Sequence, residues 1–214
     1  ANFPSDATGA NNLGLGDPSL AKVGSNKNGY TLNSVFGRFN YTLMDKYLFT
    51  GTLRADGSSR FGKNNKYGYF PSLALGWKIS NEKFMENVHF MNSLKLRASW
   101  GETGNQNIGN YQSLNTFQQG PKAVFGGNLT STTASSRIPN PDLKWEKTAK
   151  TDIGIDFSIF NSRISGSIDY FNQKTSHMLS SLPIRKSTGD AAILQNVGSM
   201  RNTGWECTLT THKI

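Results

Sequence analysis

Cysteine is almost missing: Cys207 is the only one in 214 residues, which excludes an intrachain disulfide and any cysteine-based metal cluster. Long apolar runs are missing too. No stretch reaches the roughly 18–20 consecutive apolar residues of a membrane helix. Only 36% of residues are hydrophobic, and the mean hydropathy is −0.49. That absence does not bear on strands, because a transmembrane strand of about 10 residues needs only every second side chain to be apolar. Runs of basic charge are absent despite a net charge of +9. Nothing is longer than Arg185-Lys186 and there is no Arg-rich helix, so the charge is not the footprint of a nucleic-acid interface. Ala-Asn-Phe-Pro at the start has neither a basic nor an apolar leader region, so an export signal is expected upstream of it.

Catalytic constellations are lacking as well. His89, His177 and His212 are far apart in sequence and share no metal-ligand spacing, which leaves no zinc signature. The Ser-rich stretches hold no nucleophile elbow, and no carboxylate pair stands out. The sequence therefore predicts a protein that is not an enzyme and carries no cofactor.

What is present is glycine (22), aromatics (11%) and a period of two. From Ser34 to Leu43 one parity reads Val35, Gly37, Phe39, Tyr41, Leu43 against Ser34, Phe36, Arg38, Asn40, Thr42. Alternation of this kind marks a strand with one apolar face. The same rule holds from Tyr47 to Arg60, from Tyr67 to Ser80, from Leu94 to Gly101, from Leu143 to Phe160, from Arg163 to Tyr170, and over roughly Leu194 to Thr211. Seven strands are predicted. Pro71 has no N–H for a ladder, so a bulge or a strand end is expected near it.

Connections alternate in length. Short links at 44–46 and 161–162 contrast with long ones at 104–142 and 176–193, and the 81–93 linker has room for a short helix. Short turns on one side and long loops on the other fit an outer-membrane β-barrel. With the short turns on the periplasmic side, Tyr41, Tyr47, Phe49, Trp77 and Phe157 form one aromatic belt and Tyr67, Tyr69, Trp100 and Tyr170 the other. Lys147 is the exception on the apolar face, placed at an outer strand end where it can clear the hydrocarbon and meet lipid phosphates. The competing architecture is a soluble carbohydrate-binding β-sandwich. Its polar face should be rich in Lys and Glu, whereas here that face is sprinkled with Gly, Ser and Thr.

Parity assigns Arg54, Asp56, Arg60, Arg97, Lys144, Glu146, Asp152, Asp156, Asp169 and Glu206 to the polar, lumen-facing side. Asp56-Gly-Ser-Ser-Arg60 reads either as a turn motif closing the strand or as a pair of charges aimed at a ligand. Asn105 and Gln106, within Gly104-Asn-Gln-Asn107, offer amides suited to sugar hydroxyls or to holding a loop.

Five strings then stand out: "FGRFNYTLMDKYLFTGTLRADGSSRFG" from Phe36, "YGYFPSLALGWKISNEKF" from Tyr67, "LKLRASWGETGNQNIGNY" from Leu94, "NPDLKWEKT" from Asn140 and "NVGSMRNTGWE" from Asn196. In this order the chain resembles the barrel of the SusC/RagA class of TonB-dependent outer-membrane transporters of Bacteroidetes. The resemblance implies an antiparallel transmembrane β-barrel of 22 strands, of which this chain supplies about seven, in the outer membrane among lipid and lipopolysaccharide. It also implies import of a glycan or peptide ligand, energy from a TonB complex through a region not in this sequence, and a SusD-like surface lipoprotein as lid. Residues 1–33 and the stretch from Gln112 to Arg137 carry no signature and are expected as extracellular loop, with the wall spanning 34–214. Seven strands leave open edges, which cannot face lipid, so the chain reads as a fragment of a barrel.

Overall fold

The computed structural model describes residues 27–185, 187 and 192–212. One antiparallel sheet dominates it, built of β1 (Leu32–Leu43), β2 (Tyr47–Ser58), β3 (Tyr67–Lys78), β4 (Met91–Asn105), β5 (Glu146–Ile159), β6 (Ile164–Ser176) and β7 (Ser199–Thr211). Spatial order follows chain order, each strand pairing only with its neighbours in sequence. Among the described residues no second sheet covers either face of this wall, so a sandwich core does not form.

Register keeps the two faces separate, since a one-residue slip would exchange them. Tyr41 pairs with Phe49, Tyr47 with Trp77, Leu96 with Ile155, Ile168 with Cys207 and Tyr170 with Trp205. All of these lie on one surface, and most of it is bare: Trp205 is 72% exposed, Leu209 68% and Tyr69 60%. Uncovered apolar area of this extent marks a surface that meets a membrane or another protein. Along β3, Trp77 and Tyr67 are ten residues apart. At ~3.3 Å per residue and a tilt of ~40° this is about 25 Å of membrane normal, the height of an outer-membrane apolar band.

Tight turns close one end of the wall. Met44 and Asp45 adopt positive φ (52° and 55°) between β1 and β2, and Phe160, Asn161 and Ser162 do so between β5 and β6. These left-handed conformations match the twist of the hairpins they join. The 79–90 linker at the same end holds two 3₁₀ turns, Ile79–Asn81 and Lys83–Met85. At the opposite end lie the long connections, decorated by short hairpins: Phe117–Gln119 with Thr133–Ser135, Ala123–Phe125 with Asn128–Thr130, and Leu179–Pro183 with Ala192–Asn196.

Several boundaries differ from the sequence reading. The first strand begins at Leu32, inside the segment expected as loop, and residues 1–26 lie outside the described residues. Between the wall strands the long loops run over 106–145 and 177–198, because β4 continues through Gly104-Asn105 and β6 through Ser176. Ala192–Asn196 is a hairpin arm separate from β7, parted from it at Gly198, whose φ is +83°. The largest correction concerns Leu143 and Trp145. Parity put them on the lipid-facing side of the fifth strand, but β5 starts only at Glu146. The two side chains turn inward, Leu143 0% and Trp145 5% exposed, to build with Phe61 and Phe70 the one buried apolar cluster of the described residues. Pro71 explains the room for this cluster. The β3–β4 ladder stops at Ser72, one residue short of the proline that has no N–H to extend it, and above that point the two strands part around the Phe70 ring.

Candidate functional site

Three layers make up the site: a pinned end at the tight turns, a charged inner wall, and a knot of loop roots at the opposite end. At the tight-turn end Glu82, in the 79–90 linker, accepts hydrogen bonds from Lys46 Nζ (2.9 Å), Tyr47 Oη (2.8 Å) and Trp77 Nε1 (3.1 Å). Tyr47 and Trp77 stack at 6.4 Å, so one carboxylate fixes two rings of the aromatic belt. Lys46, then Tyr47 and Trp77, hold the Glu82 carboxyl down to about 2 from its ordinary 4.5. Because the folded value is depressed, the stabilisation is fully present above pH 4.5 and is lost as pH falls from there toward 2. The thermal-midpoint difference between the full-length protein and its Glu82→Gln variant is therefore expected to be largest at neutral pH and to vanish near pH 2. A difference that stays constant across that window would rule out this role for the carboxylate.

The inner face carries an open groove of about 1000 Å³ whose lining includes Phe70 and the polar side chains of Arg38, Thr52, Arg54, Asp56, Ser72, Arg97, Ser99, Lys150, Asp152, Asp169 and Glu206. Most of its charges are committed to each other. Arg54 Nε donates to both oxygens of Asp56 (2.8 and 2.7 Å), and Lys150 pairs with Asp152 at 3.2 Å. Arg97 grips Asp156 with two nitrogens (2.7 and 2.8 Å) and reaches on to Asp169 at 2.8 Å.

That last contact crosses a strand. Arg97 stands on β4 and Asp169 on β6, both in register with Gly154 of β5 between them. Only a glycine leaves the passage open, since a Cβ at 154 would land on Asp169 Oδ1 and lie 3.0 Å from Arg97 Nη2. Gly154→Leu is expected to sever the Arg97–Asp169 arm and to cost the full-length barrel about 1–3 kcal/mol by overpacking, read as a lower thermal midpoint in detergent. Arg97→Gln should be milder, because the guanidinium is about a third exposed and such pairs are screened. A Gly154→Leu variant as stable as the parent would show that the crossing is not needed.

The remaining candidates meet above the wall. Arg60 donates to Asn110 Oδ1 (2.8 Å) and to the Gln106 carbonyl (3.1 Å), and lies 4.0 Å over the Tyr30 ring. It thus ties β2 to the loop after β4. Asn105 Nδ2 donates to Glu146 Oε1 (3.1 Å), and Glu146 Oε2 accepts the Leu179 N–H (3.2 Å). The backbone of Lys144 is bracketed by Asn196, whose Oδ1 accepts its N–H (2.9 Å) and whose Nδ2 donates to its carbonyl (2.7 Å). His177 nearby is held below its usual imidazole range by burial and by Lys144 and Lys147. Of the residues singled out in the sequence, Arg54, Asp56, Arg97, Asp152, Asp169 and Glu206 line the inner wall, Asp156 is held there by Arg97, and Arg60, Asn105, Gln106, Lys144 and Glu146 belong to the loop roots. Asn196, Asn110 and Trp145 escaped the sequence reading. Trp145 Nε1 donates to the Lys66 carbonyl at 3.0 Å, and the "NPDLKWE" and "NVG" strings were the only signal for it and for Asn196.

A model of the TonB dependent receptor-like β-barrel family matches residues 2–212. The chain belongs to that family. Among curated relatives, TonB-dependent receptor SusC of Bacteroides thetaiotaomicron is 46% identical over 192 residues, covering 86% of this chain and 19% of the relative. TonB-dependent receptor P26 of Formosa agariphila is 43% identical over 209 residues, 98% of this chain and 21% of the relative. The chain thus spans about a fifth of the length of the relatives it matches. Among solved structures, the RagAB peptide transporter superposes with a TM-score of 0.76 at 34% identity, over 85% of this chain and 20% of that one. The siderophore receptor PirA of Pseudomonas aeruginosa matches with a TM-score of 0.55 at 17% identity, over 83% of this chain and 30% of that one, and shares the fold alone. This TonB-dependent receptor wall is an outer-membrane structure, with a bare aromatic face on one side and paired charges on the other.

Proposed function

We propose that the chain forms part of the wall and outer loops of a TonB-driven importer for glycans or oligopeptides that works with a SusD-like surface lipoprotein. The observation that carries this reading is the separation of faces over seven strands: lipid-facing rings on one side, and on the other an open groove of about 1000 Å³ whose charges neutralise each other. A wall of that kind offers hydroxyls such as Ser72 and Ser99 to a ligand and leaves few free charges to trap it, as passage requires. Similarity to the RagAB peptide transporter supports the oligopeptide class. Among the described residues both edges of the sheet, β1 and β7, carry unpaired backbone groups, which hydrocarbon does not tolerate, so further strands complete the barrel.

The test is uptake by cells carrying the full-length protein, with labelled oligopeptides and labelled oligosaccharides offered separately. One class should enter only when TonB is functional, and entry should drop when the surface lipoprotein is deleted. Uptake of neither class, or uptake indifferent to TonB, would overturn the reading.

A further inference from the structure

Asn28-Gly29 is the only Asn-Gly pair in the sequence, and it lies exposed, outside any ladder, just before β1. An asparagine in front of a glycine is open to attack on its own side-chain amide by the next backbone nitrogen, because glycine has no side chain to obstruct the five-membered ring that forms. Position 29 is open in this sense: a Cβ built there would meet only Tyr111 Oη, at 4.0 Å. The Gly29 N–H has no acceptor among the described residues. Comparable pairs are closed. Gly57, which follows Asp56, is paired with Asn33 and Tyr67, and the Asp56 carboxylate is gripped by Arg54. Ser162, which follows Asn161, gives its N–H to Asn92 Oδ1 at 3.0 Å.

The Asn28 amide is also activated. Its Oδ1 accepts a hydrogen bond from Asn110 Nδ2 at 2.6 Å, and Asn110 Oδ1 accepts in turn from Arg60 Nε at 2.8 Å. A guanidinium thus polarises the amide that donates to Asn28. The donor sits on the oxygen where negative charge develops when a nucleophile adds to Cγ, and a fixed donor at that place lowers the barrier. Arg60 itself lacks an anion. Its acceptors, Asn110 and the Gln106 carbonyl, are neutral, as is the Tyr30 ring beneath it, and no carboxylate among the described residues pairs with it.

We propose that Asn28 is a self-modification site, at which the Arg60–Asn110 relay promotes hydrolysis of the side-chain amide to a carboxylate. The Gly29 nitrogen gives its proton to solvent and bonds to Asn28 Cγ. The Cγ–Nδ2 bond then breaks, and ammonia leaves with a proton from solvent, which closes a succinimide. One water opens the ring, at Cγ to give aspartate or at the backbone carbonyl to give the β-linked isoaspartate. The sum is one water in and one ammonia out, with no change in oxidation state. The product carboxylate stands one amide away from Arg60, so a neutral relay becomes a charged one and fastens the root of the 106–145 loop more tightly.

The full-length protein is incubated in detergent at mildly alkaline pH, and conversion of Asn28 is followed by mass spectrometry of the tryptic segment 28–38, which Lys27 and Arg38 bound. Digestion in heavy-oxygen water marks any conversion during work-up, and a synthetic peptide of residues 24–38 supplies the unassisted rate. Conversion should be about tenfold faster in the protein than in the peptide, the worth of one hydrogen bond to a developing charge. Asn110→Asp keeps the shape and still accepts from Arg60 but has no N–H to donate, so it should bring the rate down to that of the peptide. The product is tested separately with Asn28→Asp. Exchange of the Ile108 amide, bonded to the Gln106 carbonyl at 2.7 Å, should slow by about threefold, as one partly exposed ion pair allows, and should not respond when Arg60→Gln is also present. Conversion no faster in the protein than in the peptide, conversion undiminished in Asn110→Asp, or Ile108 exchange indifferent to Asn28→Asp would overturn the proposal.

Discussion

In the full-length protein, Trp145→Ala is expected to loosen the roots of the long loops while leaving the seven-stranded wall in place. The indole is 5% exposed, with Phe61 at 4.7 Å and Phe70 at 5.5 Å, and its Nε1 donates to the Lys66 carbonyl at 3.0 Å. Truncating a buried tryptophan costs about 3–5 kcal/mol, and here the Lys66 carbonyl also loses its side-chain donor. The same carbonyl accepts from the Ser58 N–H, so the connection between β2 and β3 loses one of the two bonds that hold it there. The cost should appear as local opening and not as global unfolding, because the cluster joins loops above a ladder that remains paired. Hydrogen exchange at Ser58 and Gly62 should accelerate by about two to three orders of magnitude, with little change in the amides of β5 below Thr148. Unchanged protection at those two amides would show that the cluster does not hold the loops.

The second large effect is expected for Gly62→Ala. A Cβ at this position would land on the carbonyl of Pro141. That is backbone, with no rotamer to yield, so the 140–143 segment must move as a body. Moving it breaks the bond from the Gly62 N–H to the Leu143 carbonyl (3.0 Å) and lifts the fully buried Leu143 out of the cluster. Overpacking together with the lost bond puts the cost at about 3 kcal/mol or more. The variant should expose the 106–145 loop to limited proteolysis. Since Gly62 and Trp145 stabilise one contact between two loops, the double variant should cost less than the sum of the singles. Strict additivity would mean that the two residues act in separate places.

How much of this was readable beforehand follows from what each feature depends on. Period-two alternation is dictated by strand geometry, so Val35 to Leu43, Tyr47 to Ala55 and Ile164 to Tyr170 fell on their faces, and consecutive pairing followed from the turns. Alternation fails where the ladder ends. Leu143 and Trp145 keep the parity of an outward strand, yet the chain there is not in the sheet, and only the gap left by Pro71 and the Phe70 ring reveals where they go. Lys147 looked anomalous because its partner, Glu102, sits on β4 just beyond Gly101, where the strand expected from the sequence ended. Parity could place Arg97, Asp156 and Asp169 on one face. It could not show that a single guanidinium serves both carboxylates, because that depends on the register of three strands and on the missing side chain of Gly154. Arg60 lies past the end of β2, where a parity rule has nothing to say, and its partners come from a loop nearly fifty residues away.

The order in which the wall can close is set by the connection lengths. β1 and β2 are joined by residues 44–46 and β5 and β6 by a similarly tight turn, but β4 and β5 are separated by the forty residues 106–145. Loop-closure entropy makes that junction about 2 kcal/mol more costly to nucleate than a three-residue hairpin, so the β1–β4 and β5–β7 halves are expected to form first and zip together afterwards. The junction is also where the ladder is longest, from Met91–Ile159 to Asn105–Glu146, and where Arg97 takes hold of Asp156 and Asp169 on the far side. The Arg97 clasp is therefore the fastener of a late-closing seam, and slowing that closure is the effect its removal should have on assembly of the barrel.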